Sequence, residues 1–234
     1  MKPCITCNGK PTRNGHYKAH LQPFVEKSLP KDNKHYHDKT GSKFMLSSLK
    51  PNTCIFYFST MHRNFTLPIL MREKAYSNLK NSGVTRSDSN GNANVYLHCP
   101  QVYMNDTGKV YNRHFHFMYY DEKNGDWDSN LFTQPIVCEI KKSEISKYPK
   151  AVLVDARPSK YYEESHLKNA VSIPVDSNVT AASVFKAIHN VKPDCNDKLV
   201  AMLIYCAKNC TASDLLADKL NKLGFHNIMK IRET

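Results

Sequence analysis

Two grammars of apolar and polar positions divide the chain. Through residues 1–140, short β-rich runs at 52–60 and 93–99, and a partly alternating run at 110–120, sit between polar patches at 31–43 and 87–94. Asn90-Gly91 and Asn124-Gly125 lie between the runs, and such dipeptides predict turns. An antiparallel, β-sandwich-like domain over 1–140 follows. Residues 141–150 are polar and charged and read as a linker. Beyond them, 152–154 and 171–173 are strand-like, and 199–205 is apolar on both faces, as an inner strand of a parallel sheet must be. Leu216, Leu220 and Leu223 then recur at helical spacing. Strand alternating with helix predicts an α/β domain over 151–234, so the fold class is a two-domain α+β chain.

Composition agrees with two folded domains. The chain has 234 residues, 41% apolar and 23% charged, which suits packed cores and excludes a disordered protein. The longest apolar run is 199–206, far short of the roughly 20 residues that a membrane-spanning helix needs. The first ten residues, MKPCITCNGK, carry no apolar stretch of the kind found in a secretory signal. A cytoplasmic or other reducing compartment is therefore expected, with the eight cysteines catalytic, metal-bound or buried as thiols rather than paired. The net charge is +12, most of it before residue 144, where 20 Lys and Arg face 11 Asp and Glu. These cations are scattered and accompany no nucleic-acid motif, which argues against a nucleic-acid partner and favours a solvated lysine-rich surface, with a protein partner on the basic half as the alternative.

Cys206 is the foremost candidate for chemistry. It closes the apolar strand and precedes a tight loop, Ala207-Lys208-Asn209-Cys210, that runs straight into a helix. Loop amides converging at a helix start stabilise an anion, and Lys208 adds a cation, so a thiol pKa below the usual value of about 8.5 is expected. Thr211 and Asp214 have capping-box spacing for that helix. Cys210, four residues on, is a second thiol suited to resolving an oxidised or sulfur-bearing Cys206.

The residues around Cys206 resemble those of the rhodanese-like sulfurtransferase family. Asp155-Ala156-Arg157 is similar to the family's Asp-x-Arg at the end of the first core strand. Tyr162 and the segment from Ser165-His166 to Ile173-Pro174 resemble its Gly-His-Ile and Ile-Pro segment, with serine in place of the glycine. Tyr205-Cys206 resembles the nucleophile pair, and Ser213, Ala217, Leu220, Gly224-Phe225 and Ile228 follow the pattern behind it. The resemblance implies a three-layer α/β domain with a parallel sheet, lacking the family's usual C-terminal end. It also implies a persulfide on Cys206, a sulfane-sulfur donor, a thiol acceptor and no required cofactor. Ala207, Lys208, Asn209, Thr211, Ala212 and Ser213 would line the sulfur site, with Asp155 and Arg157 beside it. Related phosphatases close a longer loop with an arginine; Ala212 stands there instead, which favours sulfur transfer over phosphate.

The first half holds two candidate metal sites. Cys4, Cys7, His16 and His20 are zinc-type ligands, the histidines sharing one face if 15–21 is helical. Separately, Ser82-Gly83, Asp88-Ser89-Asn90-Gly91, Pro100, Tyr103, residues 113–117 and Thr133-Gln134 resemble the core of the intradiol dioxygenases. That resemblance implies ferric iron, Fe(III), on a β-sandwich, held by Tyr103, His114 and His116, with Tyr76 the candidate fourth ligand. On a strand, His114 and His116 share one face. Three functions are thus in play: a sulfurtransferase or persulfide carrier, an iron dioxygenase, and a non-catalytic structural or docking protein.

Overall fold

The computed structural model describes residues 12–16 (backbone only), 30, 34, 36, 40–77, 79–175 and 178–232. These fall into two compact units. One gathers the described residues of Cys7–Arg63 and Ile69–Ile136, and the other those of Val137–Thr234 with the segment Asn64–Pro68.

The first unit is built from antiparallel sheets. Strands β1 (Thr12–His16), β3 (Cys54–Ser59), β5 (Ser82–Arg86), β9 (His114–Asp121) and β11 (Asn130–Pro135) form the main sheet in the order β1-β11-β9-β3-β5, and β10 (Asp126–Trp127) pairs with β9. A two-stranded sheet joins β2 (Ser42–Leu46) to β6 (Ala93–Leu97). A three-stranded one holds β4 (Leu70–Met71), β7 (Tyr103–Met104) and β8 (Val110–Tyr111), and the short helix α1 (Arg72–Tyr76) follows β4. All six residues of β3 are buried because the strand is hydrogen-bonded on both edges, by β5 and β9, and carries aromatic side chains into a core with Tyr76, Tyr103, Met118 and Trp127. Both expected turns form: Gly91 and Gly125 adopt positive φ, the first between β5 and β6, the second between β9 and β10.

The second unit is a parallel five-stranded sheet with helices. Its strands are β12 (Glu139–Lys141), β13 (Val152–Asp155), β14 (Ala170–Ser172), β15 (Met202–Tyr205) and β16 (Ile228–Arg232), in the order β12-β16-β15-β13-β14. The helices are α2 (Ser159–Glu164), α3 (Ala181–His189) and α4 (Ala212–Lys222). Apolar residues of β13, β14, β15 and β16 pack with Val184 and Ile188 of α3 and with Leu216, Ala217 and Leu220 of α4. The α3 start is fixed by a capping box, in which the Thr180 hydroxyl accepts from the Ser183 amide while the Thr180 amide donates to the Ser183 hydroxyl.

Several expectations need correction. Residues 141–150 are not a free linker: Lys141 ends β12, and Lys142–Lys147 forms a 3-10 helix in which the Glu144 carboxylate accepts from the Lys141 amide. Their polarity matches their exposure, since none of the residues 141–150 is buried. Segment Asn64–Pro68 belongs with the second unit: Asn227 donates from Nδ2 to the Phe65 carbonyl at 2.8 Å, and the Phe65 ring lies 4.8 Å from that of Tyr148. Residues 15 and 16 are strand, not helix, and His16 pairs with Asn130 across β11. Cys99 and Cys138 are each engaged in a disulfide, against the expectation of thiols throughout. Pairing depends on which sulfurs the fold brings within bonding distance, and composition carries no such information. Among the described residues no helix is long and apolar enough to cross a membrane.

Helix α4 ends where its carbonyls are recaptured. Gly224, at φ +92°, donates to the Asn221 carbonyl, and Phe225 donates to that of Leu220 at 2.9 Å, which turns the fully buried Phe225 ring back onto the core. Gly224→Ala forces a β-carbon into the left-handed region, so the folded domain should lose about 1–2 kcal/mol, read as a lower urea midpoint with an unchanged m-value.

Candidate functional site

Strand β15 delivers Cys206. The strand pairs with β13 on one edge and β16 on the other, and Met202, Leu203 and Ile204 are fully buried. Cys206 follows immediately and is itself buried, whereas Ala207, Lys208 and Asn209 are exposed. Asn209 takes φ +61°, a conformation that asparagine tolerates better than most side chains, and the Cys210 amide closes the turn by donating to the Ala207 carbonyl. The chain then enters α4 at Ala212.

The Cys206 sulfur is not enclosed by apolar groups alone. It lies 3.3 Å from the buried Ser213 hydroxyl, and its thiol points to the Cys210 carbonyl at 3.2 Å. Cys206 and Cys210 both carry reduced thiols, and the Ala212 amide donates to the Cys210 sulfur at 3.4 Å. The expected depression of the thiol pKa does not occur. Burial pushes the Cys206 thiol up; the Ser213 hydroxyl and amide pull it down, and the neighbouring Cys210 thiol raises it again. Desolvation outweighs hydrogen bonding because the exposed Lys208 contributes no compensating charge and the Ala212 amide is spent on Cys210.

The capping box proposed for α4 is replaced by another arrangement. Thr211 makes no side-chain cap; its carbonyl accepts from the Asp214 and Leu215 amides. The Asp214 carboxylate instead binds the ammonium group of Lys230, which also contacts Glu139 at 3.0 Å. Lys230 is 5% exposed, a lysine within a buried strand, and it holds the first turn of α4 to β16. Its only mark in the sequence is a lone charge inside the otherwise apolar run 228–231.

On the neighbouring strand, Asp155 is fully buried and grips Arg157 through two guanidinium nitrogens, at 3.0 Å and 2.6 Å. Arg157 also donates to the Ser165 carbonyl at 2.6 Å, and the Tyr205 hydroxyl accepts from the Leu167 amide at 3.1 Å. Both contacts tie residues 165–167 to the ends of β13 and β15. Burial raises the Tyr205 hydroxyl to about 12, so it stays protonated.

The geometry of a strand-end cysteine before a tight loop and a helix agrees with the family comparison, in which residues 141–233 match the model of the Rhodanese-like domain. Residues 141–233 are a rhodanese-like domain. Solved structures similar to this chain include wild-type EanB, 16% identical over 42% of this chain with a TM-score of 0.34. Another is the single-domain sulfurtransferase RDL2 of Saccharomyces cerevisiae, 19% identical over 44% of this chain with a TM-score of 0.33. The match spans 24% of the EanB chain and 89% of the RDL2 chain. No curated protein matches the chain. The rhodanese-like match stops short of the N-terminal unit, and no comparison shows the intradiol resemblance there.

That unit has its own convergent cluster. His114 Nε2 lies 3.3 Å from the Tyr103 hydroxyl, 3.4 Å from that of Tyr76 and 3.2 Å from His116 Nε2. All four residues are buried. Alternation along β9 places both imidazoles on one face, β7 brings Tyr103, and α1 brings Tyr76. Asn112 orients the first ring: its carbonyl can only accept, so His114 Nδ1 carries the proton at 2.7 Å and Nε2 presents a lone pair to the cluster. His116 Nδ1 meets the Thr133 hydroxyl at 2.8 Å. Burial lowers His114 to about 4 and raises Tyr103 to about 12, which keeps the ring neutral and the phenol protonated. Among the described residues no three His, Cys, Asp or Glu side chains converge, and this cluster draws half of its donors from tyrosine. Cys4, Cys7 and His20 lie outside the described residues.

Removing the Ser213 hydroxyl takes away a group that lowers the Cys206 pKa. Ser213→Ala should therefore move the midpoint of Cys206 alkylation by iodoacetamide upward in pH and slow it several-fold near neutrality, measured by peptide mass spectrometry across a pH series.

Proposed function

We propose that the rhodanese-like domain transfers sulfane sulfur through Cys206. The observation that supports this reading is the pairing of a strand-end thiol with a buried hydroxyl 3.3 Å away, at the entry to α4. In the first half-reaction the Cys206 thiolate attacks the outer sulfur of a donor such as thiosulfate. A sulfur–sulfur bond forms on Cys206, and sulfite leaves with the electron pair of the bond that breaks. In the second half-reaction cyanide, a thiol or a carrier protein attacks the terminal sulfur, and Cys206 departs as thiolate. The Ser213 hydroxyl and amide donate to the sulfur anion in each state. Ala212 supplies no guanidinium fork, which favours a sulfur-bearing anion over a phosphate dianion.

Because burial raises the Cys206 thiol, the thiolate fraction is small near neutrality and grows as pH rises. Thiosulfate–cyanide transfer should increase with pH across the neutral to alkaline range. Cys206→Ser should abolish it, a loss of at least about a hundredfold given the poor nucleophilicity of a hydroxyl. Equal rates for the variant and the parent, with thiosulfate or a protein persulfide as donor, would remove Cys206 from the reaction.

A second reading, for the N-terminal unit, is supported by the cluster of two phenols and two imidazoles. We propose that Tyr76, Tyr103, His114 and His116 hold ferric iron. The donor set fits: hard, anionic phenolate oxygens suit a trivalent ion, and His114 already turns a lone pair inward. When bound, the ion would supply Lewis-acid activation of an aromatic diol toward dioxygen. Asn112 and Thr133 orient the imidazoles, and the buried Phe58 ring lies tilted against that of His116 with centroids 5.4 Å apart. Addition of ferric ion to the purified chain should produce a visible tyrosinate-to-iron absorption band, weakened in Tyr103→Phe and Tyr76→Phe. A chain that binds iron stoichiometrically yet remains colourless would exclude tyrosine ligation.

A further inference from the structure

The loop that carries Cys206 contains a second thiol, and a hydrogen bond joins the two residues. The Cys206 thiol points to the Cys210 carbonyl at 3.2 Å, and the Ala212 amide donates to the Cys210 sulfur at 3.4 Å. The two cysteines differ in access: Cys206 is buried, whereas Cys210 is partly exposed. The turn between them is fixed by Asn209 at positive φ and by the Cys210-to-Ala207 backbone bond. A thiol held beside a persulfide-bearing sulfur, with a backbone donor directed at it, is placed to attack that sulfur.

We infer that Cys210 discharges the Cys206 persulfide as sulfide, so that the domain converts sulfane sulfur to hydrosulfide at the cost of an internal Cys206–Cys210 disulfide. This rests on the reading of Cys206 as a persulfide carrier. The Cys210 thiol gives up its proton, and its thiolate attacks the inner sulfur, that of Cys206. The Cys206–Cys210 bond forms and the bond to the terminal sulfur breaks. That sulfur leaves with the electron pair and takes up the proton that Cys210 gave up, as hydrosulfide. The sulfane sulfur is reduced and the two cysteine sulfurs are oxidised, so no external oxidant takes part. A dithiol reductant then restores both thiols for the next cycle. The substrate class is accordingly a sulfane-sulfur donor together with a dithiol, and the product is sulfide rather than a persulfidated acceptor.

The Ala212 amide serves this step. It stabilises negative charge on Cys210 rather than on Cys206, which accounts for an amide directed at a residue that a simple sulfur carrier has no need to activate. Attack at the outer sulfur would only move the persulfide to Cys210. The bond from the Cys206 thiol to the Cys210 carbonyl holds the inner sulfur against residue 210, which favours attack there.

The test is a single turnover without reductant. The reduced full-length chain, Cys210→Ser and Cys210→Ala are each treated with one equivalent of thiosulfate, and non-reducing intact and peptide mass spectra are recorded alongside assays for sulfite and sulfide. All three should release sulfite. The parent should then release about one sulfide per chain, end two hydrogens lighter and yield a Cys206–Cys210 linked peptide. Both variants should remain one sulfur heavier at Cys206 and release about tenfold less sulfide or none. A parent chain that keeps the extra sulfur and forms no linked peptide overturns the resolving role of Cys210 while leaving the carrier intact. Absence of sulfite and of added sulfur from all three chains overturns the carrier and this proposal together.

Discussion

A strand buried on both faces and paired on both edges has one place to do chemistry, its carboxyl end. β15 satisfies its backbone groups through β13 and β16 and fills both faces with apolar side chains. Its last bonds leave the chain to turn sharply into α4, and the residue at that turn lies between the apolar core and solvent. Cys206 occupies this position. The Schellman-type end of α4 and the bond from Lys230 to Asp214 fix the helix that follows, and so determine where Ser213 lies relative to the sulfur.

The consequence for the thiol is a contest between two effects of the same packing. Burial penalises the thiolate, while the hydroxyl and amide of Ser213 stabilise it, and burial prevails. A site of this kind keeps its cysteine protonated at rest. The loop amides are divided between two sulfurs, since Ala212 serves Cys210, and the electrostatics of the loop therefore belong to a pair of thiols rather than to a single nucleophile.

In the N-terminal unit the controlling constraint is strand alternation. β9 is buried along most of its length, so two histidines spaced by one residue must enter the same interior, and two tyrosines from other elements meet them there. Inside this aromatic core the Tyr76 and Tyr103 hydroxyls and His116 Nε2 all converge on His114 Nε2. The Asn112 carbonyl and the Thr133 hydroxyl settle the ring orientations, and both lie within a few residues of the cluster or on the adjoining strand β11.

Much of the architecture was legible in the residues alone. The change from alternating β-runs to continuous apolar strands, the helix marked by Leu216 and Leu220, and the glycine turns at Gly91 and Gly125 are local patterns with a local physical cause. The cysteine at the strand end and the His-x-His pair were legible for the same reason, because strand periodicity and strand termination are written in neighbouring positions. Tertiary structure decided what depends on distant neighbours. It placed residues 64–68 with the C-terminal sheet, turned the supposed linker into an edge strand and a 3-10 helix, and engaged Cys99 and Cys138 in disulfides. It also redirected Asp214 from its helix cap to Lys230, 16 residues on, and reversed the expected sign of the Cys206 shift. Desolvation is a property of everything packed around an atom, so the sequence could name the sulfur but only the fold could set its charge.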